Sequence, residues 1–436
     1  MKRKPYPKYK PSGVEWLGDV PEHWETRRIK DVGSLRGGAG FPYEEQGVED
    51  EELPFYKVGD LKASSDGRVM GKPEHTVSKE TAKKLRAAII PPDSVVYAKI
   101  GAALLLNRRR VTFAHCCIDN NMTAFLPDKR RVRTDWAFYW LSTLDFGEFM
   151  NPGAVPSFSE GDQSILPVLV PPPAEQRAIA AFLDRETGRI DTLIAKKREL
   201  VERLKEKRTA LISHTVTHGL PPEAAAKAGL PVNPPFKPSG IEWLGDIPKH
   251  WDVMALKWRS RCRSGDAIAT DDVNPELTPE RGVPVIGGNG VMGYCDSSNC
   301  EHPVLVIGRV GALCGNVHFI KPPAWITDNA LVMCTDAATF SQKYLAAVLR
   351  TRNLNELADK TAQPLITGTR IRNERIPVPA LPEQAAIAAY LAAETTKLDT
   401  LATKIEEAVE RLREFRAALI TAAVTGKIDV RNEVAS

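Results

Sequence analysis

At 436 residues, with apolar, aromatic and charged fractions of 43%, 7% and 26%, the chain has ordinary globular composition and room for two or three domains. No apolar run approaches the roughly 20 residues of a membrane span, and the basic start MKRKPYPKYK leads into no hydrophobic signal core. The expectation is a cytoplasmic protein with no membrane partner. Seven cysteines, an odd number, make no disulfide framework, and a net charge of +4 permits nucleic-acid binding without demanding it.

In chain order, residues 1–172 open on a lead-in motif, Pro11–Trp24 (PSGVEWLGDVPEHW), and continue into a region mixing strand-like runs with short helices. Tyr97–Ala102 (YAKIGA) sits in a β-branched run, Ile118–Asp119–Asn120 follows, Thr134–Phe146 reads as an aromatic-rich helix, and Ile165–Pro173 is a proline-containing approach. Residues 173–217 then carry apolar side chains at heptad spacing (Ile179, Leu183, Ile190, Leu193, Leu200, Leu204, Leu211) with charge on the other faces, the pattern of a narrow-seamed helix. Pro173 suits a first helical turn, Glu175 suits its positive end, and Gly219–Leu220–Pro221–Pro222 stops it. Residues 218–237 form a linker rich in Pro and Ala.

The order then repeats. A second lead-in motif, Pro238–Trp251 (PSGIEWLGDIPKHW), matches the first at 11 of 14 positions. Residues 238–380 contain Ile307–Ala312 (IGRVGA), aligned with YAKIGA, then Thr327–Asp328–Asn329, aligned with Ile118–Asp119–Asn120, and a predicted helix over Ser341–Lys360. Residues 381–425 are the second long helix, with a tail at 426–436; Glu383–Ile428 matches Glu175–Leu220 at about 25 of 46 positions without a gap. Its seam reads Ile387, Leu391, Leu398, Leu401, Leu412, Leu419. A narrow seam cannot be buried alone, and the best partner for each helix is the other copy. The predicted fold is two α/β (α+β) domains separated by a pair of long antiparallel coiled-coil helices, each about 60 Å long, with an internal pseudo-twofold repeat. The frame is duplicated while the contents have diverged.

Motifs for chemistry are weak. Asn233–Pro234–Pro235–Phe236 spells NPPF, with which amino-group DNA methyltransferases hold an extruded base, but it lies in the linker with no strand ahead of it. No glycine-rich loop for a methyl donor or for ATP is present. Pro92-Asp93 followed by Lys99 lacks the second acid of a nuclease set. Cys295, Cys300, Cys314 and His318 have irregular spacing for zinc and no equivalent in the first region, so no metal site is assigned.

Basic clusters are the candidates for nucleic-acid contact, since arginine and lysine hold phosphates and a minority reach base edges. In the first region these are Lys83, Lys84, Arg86, Arg108, Arg109, Arg110, Lys129, Arg130, Arg131 and Arg133. In the second they are Arg259, Arg261, Arg263, Arg350, Arg352, Arg370, Arg372 and Arg375. The acidic run Glu44–Glu52 should point away from a polyanion.

Together, the duplicated G-x-E-W-L-G-x-[VI]-P-x-H-W motif and the E-Q-x-x-I-A-x-[FY]-L…D-T-L helices at Glu175 and Glu383 resemble the specificity subunit of bacterial type I restriction–modification systems, over essentially the whole chain. The resemblance implies a non-catalytic subunit that reads a bipartite, asymmetric target on double-stranded DNA, one half-site per target-recognition domain. It implies two methyltransferase subunits as partners, with restriction–translocase subunits in the nuclease complex. S-adenosylmethionine, ATP and magnesium are then expected on those partners only, and no cofactor on this chain. Two rival readings remain: a free-standing adenine methyltransferase, resting on NPPF, and a coiled-coil scaffold that binds no DNA.

Overall fold

The computed structural model describes residues 4–47, 49–62, 67–151, 153–359, 363–431 and 433. The chain divides into two compact units, Met1–Lys196 with Glu407–Ser436, and Lys197–Glu406. The division falls inside both long helices, Pro173–His218 and Leu381–Val424. Each unit therefore holds one lead-in motif, one variable domain, the first half of one long helix and the second half of the other.

The helices run 46 and 44 residues, about 69 and 66 Å at 1.5 Å per residue. Strong helix formers fill them, Gly188 is the one interior glycine, and each chain exit turns on a left-handed glycine, Gly219 (φ +87°) and Gly426 (φ +71°). Within each unit the two halves pack antiparallel. In the first, Ile179, Leu183, Ile190 and Ile194 share a core with Val409, Leu419 and Ile420. In the second, Val201 and Leu204 meet Leu398, Ala402 and Ile405. Arg416 grips Asp191 bidentately (2.9 and 3.1 Å), and Arg208 pairs with Asp399 (2.9 Å). Both residues of the second bridge are the repeat equivalents of the first.

The seam differs from the expected one at three places. Leu193, Leu200 and Leu401 are 43%, 46% and 46% exposed, whereas their neighbours Ile194, Val201 and Ala402 turn inward. Steps of four, three, four, seven and three through Leu183, Thr187, Ile190, Ile194, Val201 and Leu204 set the buried line, and a residue one position off it points about 100° away. Leucine identity misled where spacing decided. Leu204→Glu should therefore lower unfolding stability by about 3 kcal/mol. Leu193→Glu should stay within about 0.5 kcal/mol, as denaturant midpoints would show.

The lead-in motifs clamp the starts of the long helices. Each begins as a small hairpin, Tyr9–Pro11 with Asp19–Pro21 and Phe236–Pro238 with Asp246–Pro248. Each ends on a fully buried tryptophan, Trp24 or Trp251. Glu175 Oε1 accepts from Trp24 Nε1 (3.1 Å) and the Tyr6 hydroxyl (2.5 Å), and its Oε2 lies 2.8 Å from His23 Nε2. Glu383 does the same with Trp251 (3.0 Å) and His250 (3.0 Å). Burial beside Glu175 raises the Tyr6 pKa, burial being the larger cause, so Tyr6 stays a donor. The next residue holds the domain by its main chain. Gln176 donates to Arg131 O (2.8 Å) and accepts from Arg133 N (2.9 Å); Gln384 donates to Thr339 O (2.9 Å) and accepts from Ser341 N (2.8 Å).

Each variable domain starts and finishes on one antiparallel strand pair, Glu25–Arg28 with Pro167–Val170 and Asp252–Ala255 with Arg375–Val378. Inside the first, a four-stranded antiparallel sheet runs in the order Gly33–Gly37, Met122–Pro127, Val95–Ala98, Arg109–Val111. The second repeats it with Ser260–Ser264, Ala330–Thr335, Val304–Gly308, Val317–Ile320. Strand alternation sends Val95, Tyr97 and Phe125 toward Trp136, Ile179 and Leu183, and sends Val96 and Ala124 toward Tyr56 and Ile118 of a small three-stranded sheet. Leu305, Ile307 and Met333 likewise face Tyr344 and Ile387, and Val306 and Val332 face Ile286 and Ile326.

Two expectations shift. Asp119 N donates to Tyr56 O (2.9 Å) and Thr327 N to Ile286 O (3.0 Å), so Asp119 corresponds to Thr327 and the sequence alignment is one residue out there. The predicted helices end early, at Thr143 and Thr351, each followed by a short 3-10 turn. Lys360 lies outside the described residues.

Candidate nucleic-acid interface

Among the described residues no group of three or more His, Cys, Asp or Glu side chains is gathered as a metal site. The cysteines are free, and burial pushes the thiols of Cys116, Cys117 and Cys262 up to about 12, 11 and 11. None of these three is poised as a thiolate. Asn233 of NPPF takes a left-handed turn (φ +52°) and Phe236 opens the second hairpin, half exposed. What the surface offers is cationic.

In the first domain, Lys83 and Lys84 end the helix Lys79–Lys84 and Arg86 follows at φ +52°, all three exposed. Lys84 pairs with Glu45 (3.2 Å), so this group shares its surface with the acidic run. Arg130 chelates Asp128 (3.0 Å through both nitrogens) and Arg133 chelates Asp135, while Arg131 is exposed. Lys129 pairs with Asp93 (2.7 Å); with Arg133, Asp135 and Arg68 they line a cleft of about 510 Å³. Arg108, Arg109 and Arg110 line a second cleft of about 340 Å³ with Phe138, Tyr139 and Arg416.

Arg109 is a correction. Its guanidinium is buried 3.8 Å from the Phe146 ring centroid, and it donates to Leu144 O (2.6 Å) and Asn107 Oδ1 (2.9 Å). Burial draws its pKa down to about 10, still charged at neutral pH. A group committed on this many sides stabilises the domain and does not meet a ligand. Arg109→Met should cost about 2–4 kcal/mol of unfolding free energy, with the salt dependence of any DNA affinity unchanged.

In the second domain, Arg261 and Arg263 project from one face of the edge strand Ser260–Ser264. Arg259, Arg261 and Arg372 line a cleft of about 420 Å³ with Lys257 and Trp258, an indole 71% exposed with the Lys257 ammonium 5.5 Å from its ring centroid. Arg370 pairs with Asp359 (2.7 Å) and the Arg375 side chain is exposed. Arg350 donates to Val317 O (2.9 Å); partial burial, then the neighbouring Arg208, draws its pKa down. Arg352 is the second correction. Only 13% exposed, it is pinned by Glu374 (2.6 Å) and Glu356 (3.1 Å) near the lead-in Trp243 ring.

The basic clusters of the sequence missed three residues that the fold gathers. Arg36 projects from the first edge strand, opposite Ala124, as Arg263 does opposite Val332 in the second. Lys99 and Arg309 follow the strands Val95–Ala98 and Val304–Gly308 and reach toward those edge strands. Each stands alone in sequence, so a search for runs of cations passes over it.

A duplicated frame carrying two unlike, cation-edged domains is the class this geometry defines. The family model for the type I restriction modification DNA specificity domain matches twice, over residues 21–203 and 248–411. The chain belongs to that family, whose members recognise DNA and do not catalyse. It is 32% identical over 147 residues to the EcoprrI specificity subunit of Escherichia coli, a stretch spanning 34% of this chain and 35% of that relative. A solved chain described for complex assembly and conformational transition of the type I R-M system superposes with a TM-score of 0.65 at 16% identity, over 93% of this chain and 98% of that one. The HsdS subunit of Thermoanaerobacter tengcongensis gives 0.51 at 15% identity, over 94% and 98%. At such identities the likeness is one of fold.

Proposed function

We propose that the chain is the target-reading subunit of a type I restriction–modification complex in the cytoplasm. It reads a bipartite, asymmetric sequence on double-stranded DNA, one half-site per variable domain. It recruits two methyltransferase subunits and, in the nuclease complex, restriction–translocase subunits, and those partners bind S-adenosylmethionine, ATP and magnesium. The observation that supports this most is the contrast between frame and contents. The Glu–Trp–His clamps, the glutamine anchors and the cross-helix bridges recur at equivalent positions, while the surfaces of the two domains differ. Equivalent frames suit identical partners; unlike domains suit unlike half-sites. Cation contacts with phosphates then make affinity fall steeply with salt.

Mapping modified adenines across the host genome with and without this gene tests the reading. Methylation should vanish from one gapped, non-palindromic motif; an unchanged map would refute it. The helices are proposed to set the gap. Deleting seven residues from each, Lys196–Glu202 and Lys404–Glu410, keeps the seam in register and shortens each helix by about 10 Å, roughly three base-pair steps. The gap should shorten while both half-sites persist, and an unaltered gap would count against the helices as spacers.

A further inference from the structure

Where strand register or matching bonds align the two domains, the internal repeat supplies two versions of a position, and so separates cations that both domains keep from cations found in one. Strand register equates Arg36 with Arg263. Main-chain bonds equate Lys99 with Arg309, whose amides donate to Asn121 O (2.8 Å) and Asn329 O (3.0 Å). In both domains the second cation crosses to the edge strand one residue beyond the first. Lys99 Nζ lies against Gly37, and Arg309 Nη1 donates to Ser264 Oγ (3.1 Å). Gly38 and Gly265 then press the chain onto the carbonyls of Ile118 and Asp119, and of Ile326 and Thr327, so closely that no Cβ fits. The geometry of the corner is the same twice.

The arginines of the basic runs in the first variable domain are not shared. Arg109 and Arg110 correspond in register to Val317 and His318. Arg130 and Arg133 correspond to Ala338 and Ser341, through the matching bonds at Asp128 and Asp336 and at Gln176 and Gln384.

Two domains that read different half-sites have one ligand feature in common, the sugar–phosphate backbone. Base contacts have to differ between them, and backbone contacts do not. Resting on the DNA-reading function above, we infer that Arg36 with Lys99, and Arg263 with Arg309, grip phosphates of the duplex and set the register of each domain on it. Arg36 has no ion-pair partner among the described residues, and the carboxylate paired with Arg263, Asp266, stands 3.9 Å away. Lys99 is partly offset by Glu160 at 3.0 Å, so Arg36 carries more of the grip in the first domain. Arg36 and Arg263 lie on the sheet face shared with the small sheet, opposite Ala124 and Val332, whereas strand alternation brings Lys99 and Arg309 to Gly37 and Ser264 from the other face, so each pair flanks its edge strand.

The test measures binding of the full chain, assembled with its methyltransferase partner, to duplexes with and without its target across a salt series. Arg36→Ala with Arg263→Ala should flatten the slope of log K against log[salt] by about 1.8, two contacts at roughly 0.9 each. Affinity for target and non-target duplex should fall by the same factor, leaving their ratio unchanged. Arg36→Lys with Arg263→Lys should restore the slope, because a point charge suffices for a phosphate but not for a bidentate base contact. An unchanged slope, or a loss confined to the target duplex, would overturn the assignment. Wild-type complex that shows no preference for its target at any salt would defeat the parent reading as well; a wild type that discriminates while the variants keep its slope would defeat this inference alone. Retained partner assembly and circular dichroism confirm that the variants are folded.

Discussion

Glu175→Ala should destabilise the first unit by about 3–5 kcal/mol, the largest effect expected of any single substitution in the frame. The carboxylate is buried and faces three groups: the Trp24 indole, the Tyr6 hydroxyl and His23. Its removal leaves buried donors without an acceptor, each costing about 1–3 kcal/mol. Those donors come from the N-terminal segment, and Tyr9 also donates to Gly426 O (2.9 Å) at the close of the second long helix. One carboxylate thus ties the start of the chain to the helix that follows its own domain. Glu383→Ala should cost about 1 kcal/mol less, since Glu383 meets Trp251 and His250 but no tyrosine hydroxyl among the described residues. Denaturant unfolding followed by tryptophan fluorescence checks both, because Trp24 and Trp251 sit at the affected sites. Equal and small losses would show that the clamp is not what holds the lead-in motif.

The clamp also explains what was legible in the sequence. A residue repeated at matching positions in two otherwise divergent halves is visible without any structure, so the lead-in motifs, both long helices and their order could be read directly. The reason for repetition could not. Glu175 looked like a favourable charge at a helix start, whereas its carboxylate is committed to Trp24 and His23, some 150 residues away in sequence. The seam was legible in period but not in phase, since Leu193 and Leu200 outrank Ile194 and Val201 only until their direction around the helix is known. Cation function was the least legible. Arg109 and Arg110 are neighbours in a basic run, yet strand alternation buries the Arg109 guanidinium against Phe146. Lys99 reaches Gly37, the residue after Arg36, only when three strands assemble in register.

Exchanging Trp24–Pro172 for the matching region of a relative with a different target is the second large effect. The frame should accept such a graft on physical grounds. The domain's two ends are paired with each other, and Gln176 holds it through main-chain atoms at residues 131 and 133, contacts any side-chain sequence can supply. Each wrong base pair costs about 1–3 kcal/mol, so a replaced half-site of three or more pairs removes the original target by several kcal/mol, more than a thousandfold. Mapping of methylated adenines in cells carrying the exchanged chain is the most direct measurement. One half of the motif should change to the donor's while the other half and the gap stay as they were. A motif altered in both halves, or left intact in both, would contradict two independent readers mounted on one duplicated frame.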